Sequence, residues 1–182
     1  MNQPHGVEAA IRATFEKVVR DGLRRESVAG ADDREIDRMA ADQGVAAVPV
    51  AVREVLRLIG RRSGLWFPGT DFGVGLVTGR TKQDARAALE GLSHEVRSPD
   101  GIFVLSAHQG HTYHFIDGAD LGMDDPPVWV VTEHEEVVRD WGSTTEWFAA
   151  MDPDVEDYRE MLEMMTELGR QPPGWAEDLE PR

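Results

Sequence analysis

The sequence predicts an α+β fold with a central, mostly antiparallel β-sheet (a meander) flanked by N-terminal and C-terminal helices. Three observations predict it. The first sixty residues show helical periodicity, residues 101–141 hold short β-branched and aromatic runs, and helical patterns return after residue 143. Interleaved strand–helix–strand units with long crossovers, which build parallel sheets, are missing from this order. An antiparallel or mixed sheet is therefore favoured over a doubly wound one.

Three amphipathic helices are predicted first, over residues 7–25, about 32–44 and about 49–60. Apolar residues recur in each at three- to four-residue spacing, with charged residues between them. The break at residues 27–30 and the glycines at the helix ends separate the three. The residues expected to face inward are Val7, Ile11, Phe15, Val18, Ile36, Met39, Ala40, Val52, Val55, Leu56 and Ile59.

The pattern of apolar and polar residues changes after residue 65. A short strand is expected over residues 72–77, and a helix starting near Thr81 should bury Ala85, Ala88, Leu89 and Leu92. Strands are then predicted at residues 101–107, 112–116, 128–132 and 136–141, where Val, Ile, Phe, Tyr and Trp are frequent. Glycine-containing turns between them are typical of antiparallel neighbours.

The C-terminal part returns to helix. Residues 143–146, Ser-Thr-Thr-Glu, predict a capping box that opens a short helix. A last helix over about 155–168 carries Tyr158, Leu162 and Met165 on one stripe. Residues 171–182, rich in proline and acidic residues, are expected to be disordered apart from a possible anchor at Trp175.

Charge is distributed unevenly along the chain. The formal net charge is −15; residues 1–62 carry 11 basic and 10 acidic side chains, whereas residues 63–182 carry 8 and 24. The electrostatic field of this excess negative charge repels nucleic acid and anionic lipid and attracts basic partners. The alternative is that the acidic surface only keeps the protein soluble, and charge alone does not decide between the two.

The same composition excludes several classes of protein. No cysteine is present, which excludes a disulfide framework, a thiolate zinc site and a cysteine nucleophile. The apolar stretches are too short to span a membrane, and the first seven residues lack the pattern of a signal peptide. We expect a cytoplasmic protein.

Candidate catalytic and metal-binding residues are few. His108, His111 and His114 lie close in sequence, but in a strand His111 and His114 would point to opposite faces. The glycines at positions 73, 75 and 79 are not followed by the Lys-Ser/Thr of a phosphate-binding loop, and no elbow motif surrounds Ser106. We therefore predict no catalytic residue, no cofactor and no metal site.

Several short motifs resemble those of the SUKH superfamily, which includes the yeast cell-wall-assembly regulator. The helical residues 35–39 are followed by Val-Pro at 48–49 and by a helix that ends at Gly60. Phe115-Ile116-Asp117 precedes the run Asp-Asp-Pro-Pro-Val-Trp at residues 124–129. Trp147-Phe148 follows a Ser/Thr helix cap. The similarity covers residues 33–151, although residues 65–100 depart from the pattern. It implies an α+β fold without catalytic residues and, for bacterial members, an immunity protein that neutralises a toxin.

The resemblance and the charge together predict the domain organisation and a partner surface. Residues 1–30 form an N-terminal helical extension, 31–151 the SUKH-like domain, 152–170 a C-terminal helix and 171–182 a flexible acidic tail. A basic protein, such as a nuclease toxin domain, is the expected partner, because acidic side chains would mimic the substrate of a nuclease. The predicted contact residues are Asp117, Asp120, Asp124, Asp125, Glu133, Glu135 and Glu136.

Three alternatives are also compatible with the sequence. The acidic loop around residues 120–125 is equally compatible with a solvated surface without a partner. The same fold could serve a regulatory or scaffold protein that binds an endogenous client. A small hydrolase or metalloprotein using the histidine stretch is the least favoured.

Overall fold

A computed structural model describes residues 4–181, with side chains from residue 6 onward, and it has the predicted α+β fold. Residues 1–3 of the predicted N-terminal extension and residue 182 of the predicted tail lie outside this range. The helices are α1 (Pro4–Asp21), α2 (Asp33–Asp42), α3 (Val50–Ile59), α4 (Gly79–Leu89), α5 (Thr144–Ala150) and α6 (Val155–Glu167). The strands are β1 (Val28–Ala29), β2 (Arg62–Ser63), β3 (Thr70–Phe72), β4 (Phe103–His108), β5 (Thr112–Ile116), β6 (Val128–Thr132) and β7 (Val137–Trp141).

The five strands from β3 to β7 form one antiparallel meander in chain order, as the sequence predicts. Ser106 pairs with His114, and His114 pairs with Val130 on the next strand. The strands β1 and β2 form a separate two-stranded sheet. Helix α4 packs against β4 and β6, whereas α5 contacts β7 and, through Trp147, reaches His114 on β5.

Helix α1 is part of the main core. Its inward-facing residues Val7, Ile11, Phe15 and Val18 are all buried, and the helix packs against α3 and α5. The ring of Phe15 stacks on Trp66 at a centroid distance of 5.8 Å, and Trp66 in turn stacks on Phe148 of α5 at 5.7 Å. The segment that the sequence presents as an extension therefore contributes to the same hydrophobic core as the rest of the chain.

The region around residue 73 differs from the strand predicted over residues 72–77. Strand β3 ends at Phe72, and Gly73 has φ +83°. A Cβ on Gly73 would lie 2.2 Å from the carbonyl oxygen of Gly60, and Val74 donates a hydrogen bond to that same oxygen. The chain turns here because it must pass close to the end of α3, where only glycine fits.

Two helix starts also differ in detail. Helix α4 begins two residues before the expected Thr81, whose hydroxyl accepts a hydrogen bond from the backbone N–H of Thr78. At α5, Ser143 accepts from the N–H of Glu146 as predicted, but the Glu146 carboxylate accepts from Gly142 instead of from the cap residue. Both ends are still satisfied by side chains.

The C-terminal segment is ordered where disorder was expected. Residues 174–178 form a 3-10 helix, Leu179 is buried, and a β-bridge joins it to Leu23 at the end of α1. The N–H of Glu180 donates to the carbonyl of Gly22. The predicted anchor Trp175 contacts Tyr158 of α6 with ring centroids 5.0 Å apart. The prediction of disorder was wrong because the amino-acid composition of this segment does not indicate that Leu179 is buried.

Candidate partner-binding surface

Asp117 is a structural residue, so its predicted role as a partner contact does not hold. Its side chain is fully buried. The carboxylate accepts hydrogen bonds from the backbone N–H groups of Arg97, Ser98 and Ala119 at 2.8, 2.9 and 3.0 Å. Burial alone would raise the pKa of this carboxyl, but these bonds and the Arg97 charge outweigh it and lower the pKa. Asp117 stays ionised and holds the β5 end to the loop before β4.

Two more of the predicted acidic contacts also have structural partners. Asp120 is paired with the guanidinium of Arg97, and only 13% of its side chain is exposed. Asp125 accepts from the N–H of Thr145 at 2.9 Å in the first turn of α5. Asp124 beside it is exposed. At this end of the sheet, Asp124 is therefore the most accessible member of the predicted set.

The remaining three carboxylates lie at the opposite end of β6. Glu133, Glu135 and Glu136 are exposed in the β6–β7 hairpin. The two ends of β6 are about 13 Å apart, because a strand rises about 3.3 Å per residue. The seven predicted contacts therefore fall into two separate groups, and all three members of the hairpin group are exposed.

Helix α6 carries a surface that was missed at the sequence level. Met161, Met164 and Leu168 are 47%, 60% and 63% exposed. Their spacing of three and four residues places them in one line along the helix, which we call the methionine ridge. Over the residues with described side chains, these three account for most of the large hydrophobic side chains that face solvent, the others being Leu76 and Met123.

An acidic row runs beside the methionine ridge. The spacing of Glu156, Glu160, Glu163 and Glu167 places them along the neighbouring side of α6. Residues 152–181 contain ten acidic and two basic side chains. The ridge therefore lies within a strongly acidic stretch of the chain.

A second face of α6, adjacent to the ridge, fixes the helix to the rest of the molecule. Val155 is buried, and Tyr158 and Leu162 pack against the core. Arg159 donates to the carbonyl of Asp21 at 3.1 Å, and Asp154 caps the helix by accepting from two backbone N–H groups of its first turn. The helix is held on one face and open on the other, so the ridge is presented on a fixed support.

One sequence signal could have revealed this surface. The predicted inward stripe was Tyr158, Leu162 and Met165, which is partly buried in the structure. The same helix contains a second set of apolar residues at positions 161, 164 and 168. A helix in contact with the protein on one side only does not need two apolar stripes, and the surplus stripe indicates an interface.

The histidine stretch is divided between two environments. A hydrogen bond of 2.8 Å joins His108 Nδ1 to Thr70 Oγ1. His111 is exposed in the β4–β5 turn. His114 lies beneath α5, where its Nδ1 accepts from Trp147 Nε1 at 3.0 Å. Burial lowers the pKa of His114 to about 4; Asp140 opposes this shift and His108 adds to it. Over the described residues, no three His, Asp or Glu side chains are arranged to hold a metal ion.

Comparisons with known proteins add no assignment. Neither the family models, nor the curated proteins, nor the solved structures include a match to this chain. The SUKH-like motifs therefore stay a resemblance. Within residues 4–181, no helix has the length and apolar character needed to cross a membrane.

Proposed function

We propose that this protein is a non-catalytic binding protein whose α6 surface contacts a basic protein partner. One observation carries the proposal: the methionine ridge is exposed on a helix whose other face is anchored to the core. Contiguous exposed apolar residues with a polar border are typical of protein interaction sites. Methionine is frequent at such sites because its flexible thioether adapts to the opposing surface.

The charge beside the ridge defines the chemistry of the partner. The acidic row and the surrounding C-terminal carboxylates favour a partner with lysines or arginines around an apolar groove. Long-range attraction of this kind accelerates association and weakens as salt rises. The exposed members of the seven predicted contact residues extend the contact or steer the approach of the partner; they are Asp124, Glu133, Glu135 and Glu136.

The class of partner we propose is a toxin domain, neutralised by this protein inside the cell that makes it. Two arguments support this class: the resemblance to the SUKH superfamily and the fit between an acidic surface and a basic, polyanion-binding toxin such as a nuclease. The alternative partner is an endogenous client of a regulatory or scaffold protein. It shares the same surface and differs in the identity of the bound protein.

The test uses the basic proteins encoded beside this chain. A neighbouring toxin domain should stop growth when expressed alone and should be tolerated when this protein is co-expressed. The double substitution Glu160→Lys/Glu167→Lys should abolish protection. Glu90→Lys/Glu95→Lys, which changes the net charge equally at exposed positions outside α6, should retain it.

Two results would contradict the proposal. Failure to protect against every neighbouring toxin would remove the toxin as partner, and binding of a client in a toxin-free strain would then support the regulatory alternative. Equal loss of protection in both charge-reversed variants would show that total charge matters and α6 does not.

A further inference from the structure

A cavity of about 330 Å³ lies between the start of the meander and the end of α5. Its apolar walls include Phe67 and Met151, and its polar lining includes Thr70, Ser106, His108 and His114. Cavities of this size and composition are typical of sites for small molecules. It lies apart from the methionine ridge, so the inference does not depend on the proposed function.

The polar groups converge because of the strand register. Thr70 of β3 pairs with His108 of β4, and Ser106 of β4 pairs with His114 of β5, so their side chains share one face of the sheet. Ser106 is 2% exposed. It lines the cavity together with Thr70 and His114. A serine hydroxyl at this wall is able to donate a hydrogen bond to a bound acceptor.

His114 lines this cavity and carries one ring N–H. Its Nδ1 accepts from the indole N–H of Trp147, so the neutral ring carries its hydrogen on Nε2. Burial keeps the ring neutral, because the pKa of His114 is lowered to about 4. The donor is therefore present at neutral pH without a positive charge that would select an anion.

The wall of the cavity also contains a strained residue. Phe67 has φ +56°, which a bulky side chain rarely adopts. Its ring stacks on Phe72 at 4.3 Å and on Trp147 at 5.5 Å. Such strain persists only where the surroundings enforce it and is concentrated at ligand sites. Here it fixes an aromatic ring at the cavity wall.

We propose that this cavity binds a small, uncharged, mainly apolar molecule through a carbonyl oxygen that accepts from His114 and Ser106. The apolar walls select the body of the molecule, and the donors select the carbonyl. The net charge of −15 disfavours a carboxylate or phosphate in the same place.

The probes for the test are acetophenone and ethylbenzene, which have similar shapes and differ in the carbonyl oxygen. Acetophenone should give saturable NMR shifts at the Trp147 indole N–H and the His114 ring, and ethylbenzene should bind about 3–10-fold more weakly. Ser106→Ala should reduce this difference. Met151→Trp, which fills the cavity, should abolish binding, whereas Met123→Trp, at an exposed position outside the cavity, should not.

The proposal fails if acetophenone gives no saturable shift at these two side chains. It also fails if Met151→Trp binds acetophenone as tightly as the unsubstituted protein. Equal affinity for the two probes would show a nonspecific apolar cavity and would exclude recognition of a carbonyl group.

Discussion

Two titratable side chains, the fully buried Asp117 and the partly buried His114, show how the structure uses polar groups inside the fold. Asp117 is held charged by three backbone N–H groups, whereas His114 is held neutral beneath Trp147. Two different causes dominate: desolvation keeps the imidazole of His114 neutral, whereas hydrogen bonds and the Arg97 charge outweigh desolvation at Asp117 and keep its carboxylate ionised. Each makes a separate contribution to stability.

Replacing Asp117 with asparagine should destabilise the protein. The amide group would place a donor where an oxygen now accepts a backbone N–H, leaving buried groups unsatisfied. We expect the free energy of unfolding to fall by about 2–3 kcal/mol. Urea denaturation at neutral pH measures it, with Asp124→Asn at the exposed neighbouring position as the control. Equal stability of the two variants would contradict the structural role of Asp117.

His114 should make stability depend on pH in a defined window. Its pKa is about 4 in the folded protein and near 6.5 when unfolded, so the unfolded chain binds the proton first as pH falls. The stability that this residue contributes is complete above pH 6.5 and is lost progressively toward pH 4. Between pH 7 and pH 5 the loss should be about 2 kcal/mol.

The variant His114→Gln isolates this effect. Glutamine can still accept from the Trp147 indole through its carbonyl oxygen, but it does not titrate. The difference in unfolding free energy between pH 7 and pH 5 should shrink in this variant and persist in His134→Gln, where the replaced histidine is exposed. An unchanged difference in the His114 variant would show that the buried ring is not the source.

At the scale of elements, helix α6 and the C-terminal segment depend on each other. Trp175 packs on Tyr158, and Leu179 occupies a buried position beside Leu23. The segment therefore covers one side of α6 and closes against the end of α1. It leaves the methionine ridge open.

Leu179→Ala should destabilise the protein more than Leu168→Ala, although the substitution is the same. Leu179 is 5% exposed and Leu168 is 63% exposed. Removing the buried side chain should cost about 2–3 kcal/mol, and removing the exposed one less than about 0.5 kcal/mol. Thermal or urea unfolding compares them. Similar stabilities would show that residues 171–181 do not contribute to the fold.

The elements that sequence patterns predicted best are those with strong local signals. Strands β5 and β6 match their predicted limits because their apolar runs are bounded by turn residues. The buried face of α1 was predicted correctly, but the elements that it packs against and the burial of Leu179 could not be predicted, because both depend on contacts with residues distant in the chain. The burial of Asp117 was missed for the same reason: its partners, the N–H groups of Arg97 and Ser98, are about twenty positions away in the sequence.

At the scale of the whole molecule, residues 1–62 and residues 63–182 differ in how far their charges are balanced. Arg53 of α3 pairs with Asp33 and Asp37 of α2, and Arg61, two residues beyond the end of α3, pairs with Glu35 of α2. Much of the charge in residues 1–62 is balanced by these pairs. The excess of negative charge therefore comes from the remainder of the chain, including α6 and the β6–β7 hairpin.

The affinity of the proposed toxin partner for two matched variants tests the α6 surface most directly. Met164 and Leu76 are 60% and 59% exposed, but only Met164 lies on the methionine ridge. Met164→Ser should raise the dissociation constant about tenfold or more, as expected for a central interface residue, and Leu76→Ser should change it less than about twofold. Unchanged binding by Met164→Ser, or equal weakening in both variants, would contradict the assignment of α6 as the binding surface.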